Sequence, residues 1–192
     1  MSPSTAPSLA IPAPVTQPLA DGDAGSGFSC EHEALNRFLR ESAGQNQDRD
    51  MSRTWVLRRS AGDDPSWPLV LGYYTLGLAV VKRETLPLDV VKRLPKYPIP
   101  AILIARLARD HRVKGRGIGE ILLDDAHRRA LTINAQGGAV LVLVDAKDVH
   151  ARDFYAKFGY QQLLPEEVGT PEWPLRMYLR MKDIRMAFAE TS

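Results

Sequence analysis

Between residues 112 and 119 the chain reads RVKGRGIG, with Gly115, Gly117 and Gly119 interleaved with Arg112, Lys114, Arg116 and Ile118. A glycine-rich turn that opens a helix leaves backbone N–H groups unpaired and lets them approach a ligand, and a helix start favours negative charge. A phosphate is the natural occupant. Two familiar nucleotide loops fail on spacing. G-x-G-x-x-G is broken by Glu120, and G-x-x-x-x-G-K-[ST] has no match. What remains is R-x-x-G-x-G, running from Arg112 through Gly115 to Gly117. So short a motif also suits a plain strand-to-helix turn, and both readings stand at this level.

Other residue types carry chemistry with weaker patterns. Tyr155 sits in ARDFYAKFGY beside Phe154, Phe158 and Tyr160, where a phenol either packs in a core or donates a proton. Cys30 and His32 are spaced C-x-H, but His111, His127 and His150 are isolated, so no metal quartet is expected. No base pairs with Cys30 to make it an acyl carrier. Basic residues gather at Arg37 and Arg40 and again at Lys82, Arg83, Lys92, Arg93 and Lys96, where they suit either phosphate contact or an ordinary solvated surface.

The elements that must position these groups follow from periodicity. Leu35, Phe38 and Leu39 mark the apolar stripe of a helix over residues 31–47. RTWVLRR (53–59) and LVLGYYTLGLAVV (69–81) read as two antiparallel strands, with Tyr73 and Tyr74 on opposite faces, one in and one out. Residues 82–98, with their prolines, form a connection holding one short helix. IPAILIARLARD is the strand before the glycine loop, and Ile118, Ile121, Leu122 and Ala126 line a helix ending near Ala130. GGAVLVLVDA (137–146) is a strand buried on both faces, ARDFYAKFGY a short helix stopped by Gly159, and Leu175 to Met181 a last strand. The order β-β-β-α-β-α-β is that of an α/β domain around a mixed sheet.

Composition bounds the rest. With 192 residues, 44% of them hydrophobic and 25% charged, the chain suits one core. A single cysteine forbids an internal disulfide, and neither a membrane-spanning run nor a secretory leader is visible, so a cytoplasmic protein is expected. Residues 1–27, rich in proline and serine and without Lys or Arg, read as a flexible arm; residues 28–182 read as the domain and 183–192 as a tail.

The glycine loop together with DVHARDFYAKFGY resembles the GNAT N-acetyltransferases. FSCEHEALNRFL, SRTWVL, LGYYTL and YPIPAILIARLARD fall in the order seen in the GNAT toxins of bacterial toxin–antitoxin modules, so the resemblance spans about residues 28–181. It implies an α/β GNAT fold with a mixed, mostly antiparallel sheet flanked by helices. It further implies acetyl-CoA as co-substrate without a metal, and acetylation of the α-amino group of aminoacyl-tRNA that blocks translation. By position, Leu107, Ala108 and Arg109 would offer backbone groups to the pantetheine arm. Arg112, Lys114, Gly115, Arg116, Gly117, Ile118 and Gly119 would surround the pyrophosphate, and Tyr155 would protonate the departing thiolate. Arg83 and Arg93 are the expected tRNA contacts. The implied partners are a ribbon-helix-helix antitoxin and a second copy of the chain, with no membrane. Two other functions fit the same residues: a GNAT enzyme acting on a small amine or a protein N-terminus, and an acyl-CoA-binding module without activity.

Overall fold

The computed structural model describes residues 15–92, 94, 96–164 and 173–190. Its strands are β1 (Gln17–Pro18), β2 (Arg53–Arg58), β3 (Val70–Val81), β4 (Ile99–Arg109), β5 (Leu141–Ala146), β6 (Gln161–Gln162) and β7 (Leu175–Arg180). They form one sheet in the order β1-β2-β3-β4-β5-β7-β6. Only β4 and β5 run parallel; every other neighbouring pair is antiparallel. The helices are α1 (Glu33–Arg37), continued through a π turn (Phe38–Ser42) into α2 (Ala43–Asp48), then α3 (Leu88–Val91), α4 (Ile118–Gly137), α5 (Val149–Lys157) and α6 (Met181–Glu190).

Alternation along the strands distributes side chains between two covered faces. On β5, Val142 and Val144 join the cluster under α4 and α6, whereas Leu141 and Leu143 join the one under α3, so the run is apolar at every position. Tyr73 and Tyr74 point to opposite faces as expected, but both are fully buried. Tyr73 packs with Leu39 and Ala43 of the α1–α2 segment, and Tyr74 packs with Leu122 of α4. No face of β3 at that level is left for solvent.

Three sequence boundaries shift. The arm assigned to residues 1–27 is part of the fold from Val15 onward: Gln17 and Pro18 pair with Val56 and Trp55, and the Thr16 hydroxyl and Val15 N–H both donate to the Asp125 carboxylate. Composition misled because these few residues find partners more than thirty positions away. Residues 1–14 lie outside the described part. The tail assigned to 183–192 is α6 as far as Glu190. Met181, Ile184 and Phe188 make its apolar stripe, and Met181 opens this helix instead of closing the strand. Finally, α4 runs past Ala130, because Leu131 and Ile133 continue its packed face up to Gly138, whose φ of +76° stops it.

Candidate active site

The site begins with a divergence of strands. β4 and β5 are paired only from Ala101↔Leu141 to Ile104↔Val144. At Ala105 a bulge interrupts the ladder with β3, since Thr75 faces Arg106 while Leu76 faces Ile104. Beyond it β4 stays on β3 as far as Arg109, whereas β5 continues along β7. A bulge bends and twists the strand that carries it, and here the two strands part. The carboxyl ends of parallel strands are where open α/β sheets bind ligands. A cavity of about 600 Å³ opens there. Leu107, Ala108 and Arg109 form one side of it; Ala151, Phe154 and Tyr155 of α5 form another.

The glycine loop closes one end. Gly115 and Gly117 have φ of +75° and +74°, left-handed conformations that strain other residues, and Gly117 caps α4. Ile121 is the first residue of the helix to donate back, to the Gly117 carbonyl. Among the described residues nothing accepts from the N–H groups of Gly115, Gly117, Ile118, Gly119 or Glu120. These donors, at the positive end of a 20-residue helix, fit a phosphate or pyrophosphate. At Gly119, a Cβ would meet the Phe154 ring at 3.4 Å, an ordinary contact distance, which places the start of α4 directly against α5.

The cationic side chains around the loop divide into two kinds. Lys114 Nζ reaches Glu31 at 2.7 Å, and Arg109 approaches the same carboxylate at 3.7 Å. Arg116 lies over the Trp67 ring with its guanidinium 5.7 Å from the centroid. Arg112, expected at the phosphate, spends its N–H, Nε and Nη2 on the protein. Its Nε and Nη2 donate to Asp110 at 2.8 Å, its N–H donates to Asp110 at 2.9 Å, and Nη2 also reaches the Gly27 carbonyl. That arginine braces the loop through its N–H, Nε and Nη2. The Asp110 side chain is fully buried. Burial raises its carboxyl, but the hydrogen bonds from Arg112 and from the Ser29 N–H outweigh this and hold it below the usual carboxylate range.

Tyr155 stands across the cavity from β4. Asp148 caps α5 by accepting the Ala151 N–H at 2.8 Å, and Gly159, at φ +84°, ends the segment just after it. Tyr155 is 7% exposed and packs against Phe154 and Tyr160, so the core reading of its ring is right. Its hydroxyl nevertheless has no hydrogen-bond partner among the described residues, and the residue lines the cavity. Burial, reinforced by the charge of Asp145, pushes this phenol above its ordinary pKa and keeps it protonated at neutral pH.

Sequence reasoning missed one wall. Cys30, Glu31, His32 and Leu35 face the cavity opposite Lys147, Asp148 and His150. His111 holds this segment: its N–H donates to the Ser29 carbonyl, and its ring Nδ1 lies 2.9 Å from the same oxygen. Such pairings leave no local pattern to read. Burial lowers the His32 and Lys147 pKa values and raises that of Cys30. Of the two residues expected to contact tRNA, Arg83 does not line this cavity. Arg83 donates to the Val91 and Leu94 carbonyls, closing the loop after α3, and Arg93 lies outside the described residues.

Known proteins share this arrangement. A family model described as an acetyltransferase (GNAT) domain matches residues 100–177. A tRNA-acetylating toxin of Mycobacterium tuberculosis is 33% identical over 167 residues, covering 87% of this chain and 92% of its own. The structure of AtaT complexed with acetyl-methionyl-tRNAfMet superposes with a TM-score of 0.77 at 28% identity, over 90% of this chain and 98% of that one. A mutant AtaT toxin bound to the C-terminus of the antitoxin AtaR and acetyl-CoA gives a TM-score of 0.70 at 25% identity, over 91% and 97%.

Proposed function

The chain belongs to the GNAT acetyltransferases, and from that premise we propose that it moves the acetyl group of acetyl-CoA onto the α-amino group of aminoacyl-tRNA and so blocks translation as a toxin. One observation carries the reading. The parted ends of β4 and β5 make a slot with free N–H donors at one end and a phenol without a partner on its side. Acetyl-CoA supplies an activated thioester. The N–H groups from Gly115 to Glu120 hold its pyrophosphate, with Lys114 and Arg116 near enough to add charge. The open edge of β4 at Leu107, Ala108 and Arg109 pairs with the pantetheine amides, and Tyr155 protonates the leaving thiolate.

The acceptor is assigned from similarity, because the relatives include a tRNA-acetylating toxin and a complex with acetyl-methionyl-tRNA. The antitoxin-bound relative supports a protein inhibitor for this chain as well. That the inhibitor is a ribbon-helix-helix protein, that two copies of the chain associate, and that they work in the cytoplasm belong to the same proposal. No helix among the described residues is long and apolar enough to cross a membrane.

The test supplies purified protein with acetyl-CoA and a panel of charged tRNAs. N-acetylated aminoacyl-tRNA should appear for one or a few of them, with release of CoA thiol and no product on uncharged tRNA. Failure on every charged tRNA, with turnover of a small amine, would defeat the acceptor assignment and leave the acetyltransferase standing.

A further inference from the structure

The acceptor has to shed a proton before it can attack, and we propose that the His32 imidazole takes it, acting as general base in the cavity that Tyr155 also lines. The proposal rests on the α-amino acceptor argued above. An α-amino group has an ordinary pKa near 8, so at pH 7 roughly nine acceptors in ten arrive as ammonium, without the lone pair the reaction needs. A base inside the cavity lets that majority react.

His32 is placed and free to serve. It precedes α1 and its carbonyl accepts from the N–H groups of both Leu35 and Asn36, but its ring makes no cap. Among the described residues the ring has no hydrogen-bond partner. Burial is the largest influence on it and lowers its pKa; Lys147 acts in the same direction, while Asp148 and Glu31 oppose them. The imidazole is therefore neutral at pH 7 and able to accept.

The other titratable groups on these walls are less suited. The Asp148 carboxylate is engaged with the Ala151 N–H, and Glu31 is paired with Lys114. The Cys30 thiol donates to the His32 carbonyl, and burial raises its pKa. Lys147 begins as an ammonium. His150, on the first turn of α5, is the one other imidazole in the cavity and makes the natural control.

The proton balance closes. His32 takes one proton from the ammonium, the freed lone pair forms the N–C bond, and the C–S bond breaks. Tyr155 gives its proton to the thiolate. The attacking nitrogen sheds a second proton, which returns through water to the Tyr155 phenolate and leaves a neutral amide with one N–H, and the imidazolium releases its proton to solvent.

The experiment compares kcat/KM from pH 6 to pH 9 for wild type, His32→Gln and His150→Gln, using charged tRNA and, separately, an amino-acid amide. In wild type the acid limb should lie below pH 6.5. In His32→Gln it should move to the pKa of the free amine, a loss of about thirty-fold at pH 6.5 that shrinks to less than about three-fold at pH 9. Added imidazole should restore part of the loss at low pH. Unchanged melting temperature and acetyl-CoA affinity show that the variant is folded; if it is not, His32→Asn takes its place. A His32→Gln profile that overlays wild type, or a limb that moves in His150→Gln instead, overturns the assignment. Wild-type turnover of the amide with no product on any charged tRNA would refute the tRNA acceptor, and the His32 comparison would then be read on the amide.

Discussion

Tyr155 and Tyr160 belong to one short segment, are 7% and 3% exposed, and touch each other with ring centroids 5.5 Å apart. Burial raises both phenols. They differ in what the hydroxyl meets. That of Tyr160 shares a 2.8 Å hydrogen bond with Nε2 of His127, a buried residue of α4, whereas that of Tyr155 has no partner among the described residues and belongs to the cavity wall. Burial therefore fails to separate a structural tyrosine from a candidate acid. The fate of the polar atom separates them: the Tyr160 hydroxyl is spent on a neighbour in the core, whereas the Tyr155 hydroxyl is left to whatever enters the cavity.

The sharpest way to break this comparison is to remove each hydroxyl. Tyr155→Phe keeps the ring and its packing, so the melting temperature and acetyl-CoA affinity should barely move. A general acid contributes about 10²- to 10⁴-fold, and kcat should fall by that factor. Steady-state kinetics with calorimetric acetyl-CoA titration decide it. A variant that keeps more than about a tenth of wild-type kcat returns Tyr155 to the core beside Tyr160.

What sequence could reveal divides along the same line. The strands at 53–58, 70–81, 99–109 and 141–146, the glycine turn and α5 were legible because each has a local signature: apolar period, glycine at a left-handed position, or a capping aspartate. The roles of side chains were less so. Arg112 was expected at the phosphate and Arg83 at tRNA, because sequence counts charges without showing which protein atoms hold them. Asp110 claims the first, and the carbonyls after α3 claim Arg83. The wall at Cys30–His32 and the strap at Val15–Pro18 were invisible, since both are held by partners more than thirty positions away. The splay of β4 from β5 depends on the bulge at Ala105, for which the run IPAILIARLAR carries no signal: it has no glycine, and its one proline, Pro100, stands at the other end of the strand.

The second prediction concerns the partner of Tyr160. Burial lowers the His127 pKa from 6.5 to about 4, so the unfolded chain binds its proton first as the pH falls. The sign follows directly: the stability of the neutral form is intact above about pH 6.5 and is lost as pH drops toward about 4. Between pH 7.5 and pH 5 this one ring should cost roughly 2 kcal/mol. Urea unfolding at the two pH values should show wild type losing that much more than His127→Gln. Equal losses would mean that His127 is protonated in the folded state and that the Tyr160 hydrogen bond is not the buried neutral pair described above.

The smallest effect is expected for Tyr160→Phe, which completes the comparison. Removing that hydroxyl leaves Nε2 of His127 buried with no acceptor or donor to meet it, a loss of about 1–3 kcal/mol. For a chain of this size each kcal/mol shifts the melting temperature by about 2–4 °C, so a fall of several degrees is expected. Activity should move the other way from Tyr155→Phe. The Tyr160 hydroxyl is turned into the α4 core, and kcat at a temperature well below the transition should stay within about two-fold of wild type, since the variant removes no group from the acetyl-transfer cavity. Differential scanning calorimetry and kinetics on the same preparation give both numbers. If Tyr160→Phe loses activity on the scale expected for Tyr155 while keeping its melting temperature, then hydrogen-bond partnership does not mark the structural tyrosine, and the proton donor has been assigned to the wrong end of the segment.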